Sequence, residues 1–183
     1  MSKKKRDDSY FAADRRKKKK SMMIIIPIIV VVAAAGAAAA FLVPRAPDFG
    51  PLGSAHVHAI FEVMLDGQAV DFSQQKYQVK TQYIHVEGGD GTTLHRHSSK
   101  VPVGEFFKSV NMDIRDGCFV MDNGEQFCDD GKQLRFFVNG TERASINDYI
   151  LQDNDRILII YGDEDQNELQ REFDKLNNTP IKK

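Results

Sequence analysis

The chain has no Gly-x-x-x-x-Gly-Lys-Ser/Thr loop, no Gly-x-Ser-x-Gly elbow and no His-Glu-x-x-His pair. Their absence removes the sequence grounds for a P-loop nucleotidase, an elbow-type serine hydrolase or a zinc peptidase of that helical kind. Cysteine is scarce. Cys118 and Cys128 are the only two, and they form no Cys-x-x-Cys, which argues against a thioredoxin-type redox pair and a thiolate zinc knuckle. Charge is missing from residues 22–43, MMIIIPIIVVVAAAGAAAAFLV. Histidine is missing before His56 and after His97. The last two gaps mark out a hydrophobic span and an imidazole cluster.

Twenty-two uncharged residues, if helical, reach roughly 33 Å at 1.5 Å per residue, enough to cross a bilayer. Residues 1–20 carry ten Lys/Arg against three Asp, whereas residues 44–59 hold one Arg and one Asp. That asymmetry predicts a single-pass cell-membrane protein with residues 1–21 as a basic cytoplasmic segment, 22–43 as the transmembrane helix and the remainder extracytoplasmic. A cleaved signal peptide is the competing reading, but such apolar regions run about 7–15 residues, so the length favours a retained anchor. Beside a span, the run Arg15–Lys20 reads as a topology signal that also attracts anionic lipid. Residues 21–183 hold fifteen Lys/Arg against twenty-three Asp/Glu, a balance that argues against DNA or RNA as partner and leaves the lipid bilayer and a membrane protein as the expected contacts.

Residues 44–55, with three Pro and two Gly, read as a linker. Strand-like alternation then begins: Val57, Ala59, Phe61, Val63 and Leu65 share one face and end at Asp66-Gly67, a hairpin signal. Tyr77–Val86 reads as a strand, with Thr92–Val101 as its partner across a Gly-rich loop. Pro102 opens a helix with Val103, Phe106, Phe107 and Val110 as its apolar stripe. Cys118 and Cys128 flank a hairpin closed by Asp122-Asn123-Gly124, a register that places the two cysteines opposite each other and predicts a structural disulfide. Arg156–Tyr161 is a continuous apolar run, as expected of a central strand. In the acidic tail, residues 163–183, Leu169, Phe173 and Leu176 recur at helical spacing and predict a short docking helix.

Phe137-Val-Asn-Gly140, Ile146-Asn-Asp-Tyr149 and Leu151 through Tyr161 resemble the closing part of exported β-grasp modules of the soluble-ligand-binding group and of cobalamin carriers. Asp153-Asn154-Asp155 stands where that group usually has Asp-Gly-Asp. The likeness covers roughly Tyr83 to Tyr161 and implies an α+β, β-rich fold: a β-grasp-like domain over residues 56–162 with an extra N-terminal hairpin, after one transmembrane helix. The whole chain is also similar to membrane-anchored exported proteins of ammonia-oxidising archaea. That likeness implies copper as a cofactor and assigns no role to any residue.

The five histidines read His56-Val57-His58, His85 and His95-Arg96-His97. On a strand, side chains two apart share a face, about 6.6 Å apart along the chain, so each His-x-His pair projects one way. Pairing the strands of residues 77–86 and 92–101 would gather His85 with His95 and His97, and His56 and His58 would join only if the leading hairpin folds over. Nitrogen ligands of this kind suit copper or zinc, bound without catalysis. Three other readings stay open: a ligand-binding or protein-interaction module with incidental histidines, an accessory subunit of a membrane complex, and an enzyme using a histidine-bound metal. His56, His58 and Glu62 also resemble a first cupin motif, though the flanking glycines depart from it and no second motif follows. Asn139-Gly-Thr141 is a candidate glycosylation sequon at a turn on the exported side.

Overall fold

Ile60 to Leu65 are apolar on both sides of the strand apart from Glu62, and the strand they belong to lies inside the sheet. The computed structural model describes residue 23, residues 25–34 and residues 48–182, and the chain divides into two units, Met1–Pro47 and Asp48–Lys183. In the first, residues 25–34 are helical, and among the described residues no helix is long and apolar enough to cross a membrane. The basic segment 1–21 and linker residues 44–47 lie outside the described residues, as does much of the expected span 22–43.

The second unit is α+β and β-rich. Strands β1 (Leu52–Leu65), β2 (Gln68–Ala69), β3 (Ile84–His85), β4 (Thr93–Ser98), β8 (Gln133–Val138), β9 (Thr141–Arg143) and β10 (Arg156–Gly162) form one mixed sheet in the order β3-β4-β1-β10-β8-β9, with β2 paired to the end of β1. β5 (Asp113–Arg115), β6 (Cys118–Val120) and β7 (Gln126–Cys128) form a second, three-stranded sheet. Helices α1 (Val103–Ser109) and α2 (Gln166–Asn178) complete the unit. β1 runs parallel to β10, with Ile60 opposite Arg156 and Leu65 opposite Tyr161, and antiparallel to β4. β10 is therefore flanked on both edges, and Ile157 to Ile160 are all buried.

One face of the sheet carries Ala59, Phe61, Val63 and Leu65 against Phe72, Phe106 and Phe107. Ring centroids there lie 5.0 Å apart for Phe61–Phe72 and 5.2 Å for Phe61–Phe106. α1 approaches so closely that a side chain at Gly104 would sit 2.9 Å from the Asn147 carbonyl oxygen. The opposite face is covered over Ile60, Met64, Phe137, Leu158 and Ile160 by Leu169, Phe173 and Leu176 of α2. The tail stripe thus docks, and Asp165 with Glu168 forms a reciprocal cap at its start.

The cysteine hairpin adopts the anticipated register. Cys118 opposes Cys128, Val120 opposes Gln126, Met121 N–H donates to the Glu125 carbonyl, and Gly124 sits at φ 86°. The two sulfurs stand at disulfide-bonding distance.

Two expected elements differ. Residues 77–86 make a strand only at Ile84–His85, with an isolated bridge from Gln78 to Val86. Gln78 is turned inward, donating to the Phe72 carbonyl at 2.8 Å and accepting from Gly89 N–H at 3.0 Å, so this stretch braces the glycine loop and pairs little. The leading hairpin is also short, with only Met64–Ala69 and Leu65–Gln68 paired. Its first strand serves chiefly as the middle of the large sheet, because Ile60 to Leu65 bury apolar side chains on both faces.

The Asn139, Tyr149 and Asp155 positions of the quoted resemblance meet in one knot. Buried Asp155 accepts from Asn139 Nδ2 at 2.8 Å, Tyr149 O–H at 2.7 Å and Gln152 N–H at 2.7 Å. Burial, then the Asp155 contact, pushes the Tyr149 phenol up to about 12. The Asn139 amide nitrogen that would carry a glycan is the one tied to Asp155.

Candidate functional site

α2 covers only part of its face of the sheet, and the histidines occupy that same face where β1, β4 and β3 lie side by side. β4 sits between the other two strands, so His95 faces His58 across one ladder and His85 across the other. The alternation of β1 puts His56 and His58 opposite the Ala59–Phe61 row, and β4 does the same for His95 and His97. All five rings meet. Centroid separations are 4.8 Å for His58–His95, 5.9 Å for His85–His95, 5.1 Å for His85–His97, 5.0 Å for His56–His97 and 4.7 Å for His56–His58. The first pair joins the other three without any folding over, because β1 is the direct neighbour of β4.

Depth divides the cluster. His58, His85 and His95 are 6 %, 5 % and 4 % exposed, whereas His97 is half-buried and His56 is exposed. His95 lies deepest, on a water-excluded sheet face where an imidazolium is costly. Desolvation, aided by His58, His85 and His97 and opposed by Glu87, lowers the His95 pKa to about 4. Burial and then the neighbouring His85 and His56 lower His97 as well. At neutral pH both rings therefore hold free lone pairs.

Oxygen atoms orient the rings. His85 Nδ1–H donates to the Thr81 carbonyl at 2.8 Å, and its Nε2 lies 3.2 Å from Glu87 Oε2. The other Glu87 oxygen lies 3.9 Å from His95 Nδ1. Desolvation works to raise the Glu87 pKa, but the His85 hydrogen bond and the charges of His95, His85 and His97 outweigh it, and the carboxyl sits below its usual value. The His95 charge acts only at acid pH, since burial holds its pKa at about 4. On the far side, Asp153 accepts from the His58 backbone N–H at 3.0 Å and stands 3.8 Å from its Nδ1.

Asp153 and Thr81 were not legible as site residues. Asp153 had a signal, the Asp-Asn-Asp that departs from Asp-Gly-Asp, whereas Thr81 contributes only a carbonyl that no side-chain pattern reveals. Glu62, which the cupin likeness would enlist, is ion-paired with Lys175 of α2. Arg96, between His95 and His97, points to the opposite face and donates to the Ser98 and Leu151 carbonyls.

Among the described residues, no group of three or more His, Cys, Asp or Glu side chains is already gathered to hold a metal ion. The rings are neighbours in edge and stacked contacts, and ligation at about 2.0–2.1 Å per nitrogen requires them to turn. No family model, curated protein or solved structure matches the chain.

Proposed function

We propose that the chain is a single-pass, membrane-anchored protein whose β-grasp-like unit, presented outside the cytoplasm, binds one copper or zinc ion through its histidine face without catalysis. The convergence of five imidazoles on adjacent strands, three of them buried, carries the reading. His85, His95 and His97 with His58 supply nitrogen donors, and Glu87 and Asp153 supply nearby carboxylates to balance a cation. An all-imidazole set favours copper(II) or zinc over the oxygen-seeking divalent ions, and copper binds more tightly than zinc at such sites. The hydrophobic run 22–43 behind ten basic residues supports the anchor. The parallel β1–β10 pair, flanked by β4 and β8 with α1 between β4 and β8 in the chain, supports the β-grasp likeness.

Titration of the chelator-stripped full-length protein in detergent tests the reading. Cu2+ or Zn2+ is expected to saturate at about one ion per chain. At a hundredfold excess over Kd the bound ion contributes about 2.7 kcal/mol, a rise in melting temperature of roughly 5–10 °C for a domain of this size. A melting temperature that neither ion moves would sink the proposal.

A further inference from the structure

Among the described residues of the Asp48–Lys183 unit, the exposed large apolar side chains are Leu52, Val79 and Tyr83, at 52 %, 53 % and 42 %. Two of them share one place, whereas the Tyr83 ring packs edge-on against Phe49, 5.8 Å away. Leu52 and Val79 line a shallow cleft of about 480 Å3 together with Gln82, His85, Glu87 and His97. Tyr83 adjoins it through its carbonyl, which accepts the His97 backbone N–H at 2.8 Å.

Folding does not explain these side chains. Val79 is β-branched yet sits at φ 48°, a left-handed conformation that glycine or asparagine takes far more readily. Leu52 lies where the register of β1 against β4 shifts, next to Gly53 at φ 83°. Irregularities of this kind re-aim side chains beside functional sites. Two separate backbone departures thus bring two aliphatic side chains into water at the rim of the same cleft. Glu87 is the only charged residue of its lining, with a half-exposed carboxylate. The unit around it carries fourteen Lys/Arg against twenty-three Asp/Glu.

We propose that this cleft docks a segment of a partner protein that presents an arginine beside an aliphatic residue. The guanidinium meets Glu87, and the aliphatic groups, the arginine stem included, lie on Leu52 and Val79. Arginine fits better than lysine because its planar fork matches a carboxylate and its weaker hydration lowers the cost of leaving water. The stem supplies apolar contact that a bare cation lacks. The docking does not depend on the metal reading, although Glu87 stands beside both.

The test uses the full-length protein in detergent with a chelator present, so that its failure and that of the metal reading stay distinct. A fluorescein-labelled octapeptide of alternating Val and Arg is followed by anisotropy. We expect saturable binding, weakened at least about tenfold by Glu87→Gln and by Val79→Asn, the loss of one desolvated contact. Val79→Asn is also expected to raise the melting temperature by about 3 °C, because it relieves the backbone while removing the contact. Absent binding, binding by either variant equal to that of the wild type, or binding of an alternating Gly-Arg peptide as tight as that of the Val-Arg peptide would each overturn the proposal. So would a lowered melting temperature for Val79→Asn, which would make Val79 a packing residue.

Discussion

His95→Ala is expected to weaken Cu2+ binding more than any other single histidine substitution, and by more than about a hundredfold. His95 is the hub of the cluster: it opposes His58 on one strand and His85 on another, and Glu87 lies 3.9 Å from its Nδ1. Losing even an outer partner of a ligand typically costs about 10–100-fold in affinity, and a central donor costs more. His58→Ala should follow closely, since His58 is 6 % exposed and its ring centroid lies 4.8 Å from that of His95. His56→Ala should cost least, because His56 is exposed at the rim and contacts only His58 and His97 among the rings. Competition against a chromophoric chelator gives all three affinities. A ranking with His56 first would move the site to the exposed end of β1 and contradict the geometry described above.

The metal-free protein is expected to lose stability as pH falls from neutrality toward 4. Burial holds the folded His95 pKa at about 4, against 6.5 for the free side chain. The unfolded chain therefore takes up a proton between those values that the folded chain refuses, and stability declines through that window. A difference of 2.5 units corresponds to about 3 kcal/mol for His95 in full, of which about 2 kcal/mol is lost by pH 5. The lowered His97 works in the same direction. Urea denaturation at pH 7.5 and pH 5 measures the loss, and His95→Gln should remove most of it. A bound metal should flatten the profile over the same range, because ligation already excludes the proton. Equal stability of the wild-type protein at the two pH values would mean that His95 is charged at no cost, contrary to its desolvation.

Much of the unit follows from local pattern. Gly124 and the spacing of the cysteines specify the β6–β7 register, and the stripe Leu169, Phe173, Leu176 specifies which side of α2 docks. The apolar run Ile157 to Ile160 specifies a central strand. Long-range pairing was less legible. Nothing local says that β1 lies between β4 and β10, because Asp66-Gly67 is an equally good signal for a self-contained hairpin. The placement rests on β1 burying apolar side chains on both faces from Ile60 onward, a demand that only a neighbour on each edge and a layer on each side can meet. The site inherits this. Each His-x-His pair was readable as a shared face, but the union of the pairs depended on β1 meeting β4. The orienting Thr81 carbonyl and the Asp153 carboxylate come from loops whose course no periodicity fixes. Val79 illustrates the opposite failure: a valine in an apparent strand gave no hint of a left-handed backbone.

The most direct measurement is the metal content of the full-length protein isolated from its native membrane without chelator, by elemental analysis against protein concentration. About one copper or zinc per chain is the expected result for a single site, with the metal lost in His95→Ala. Less than about a tenth of an ion per chain, together with a melting temperature unmoved by either ion, would contradict the account.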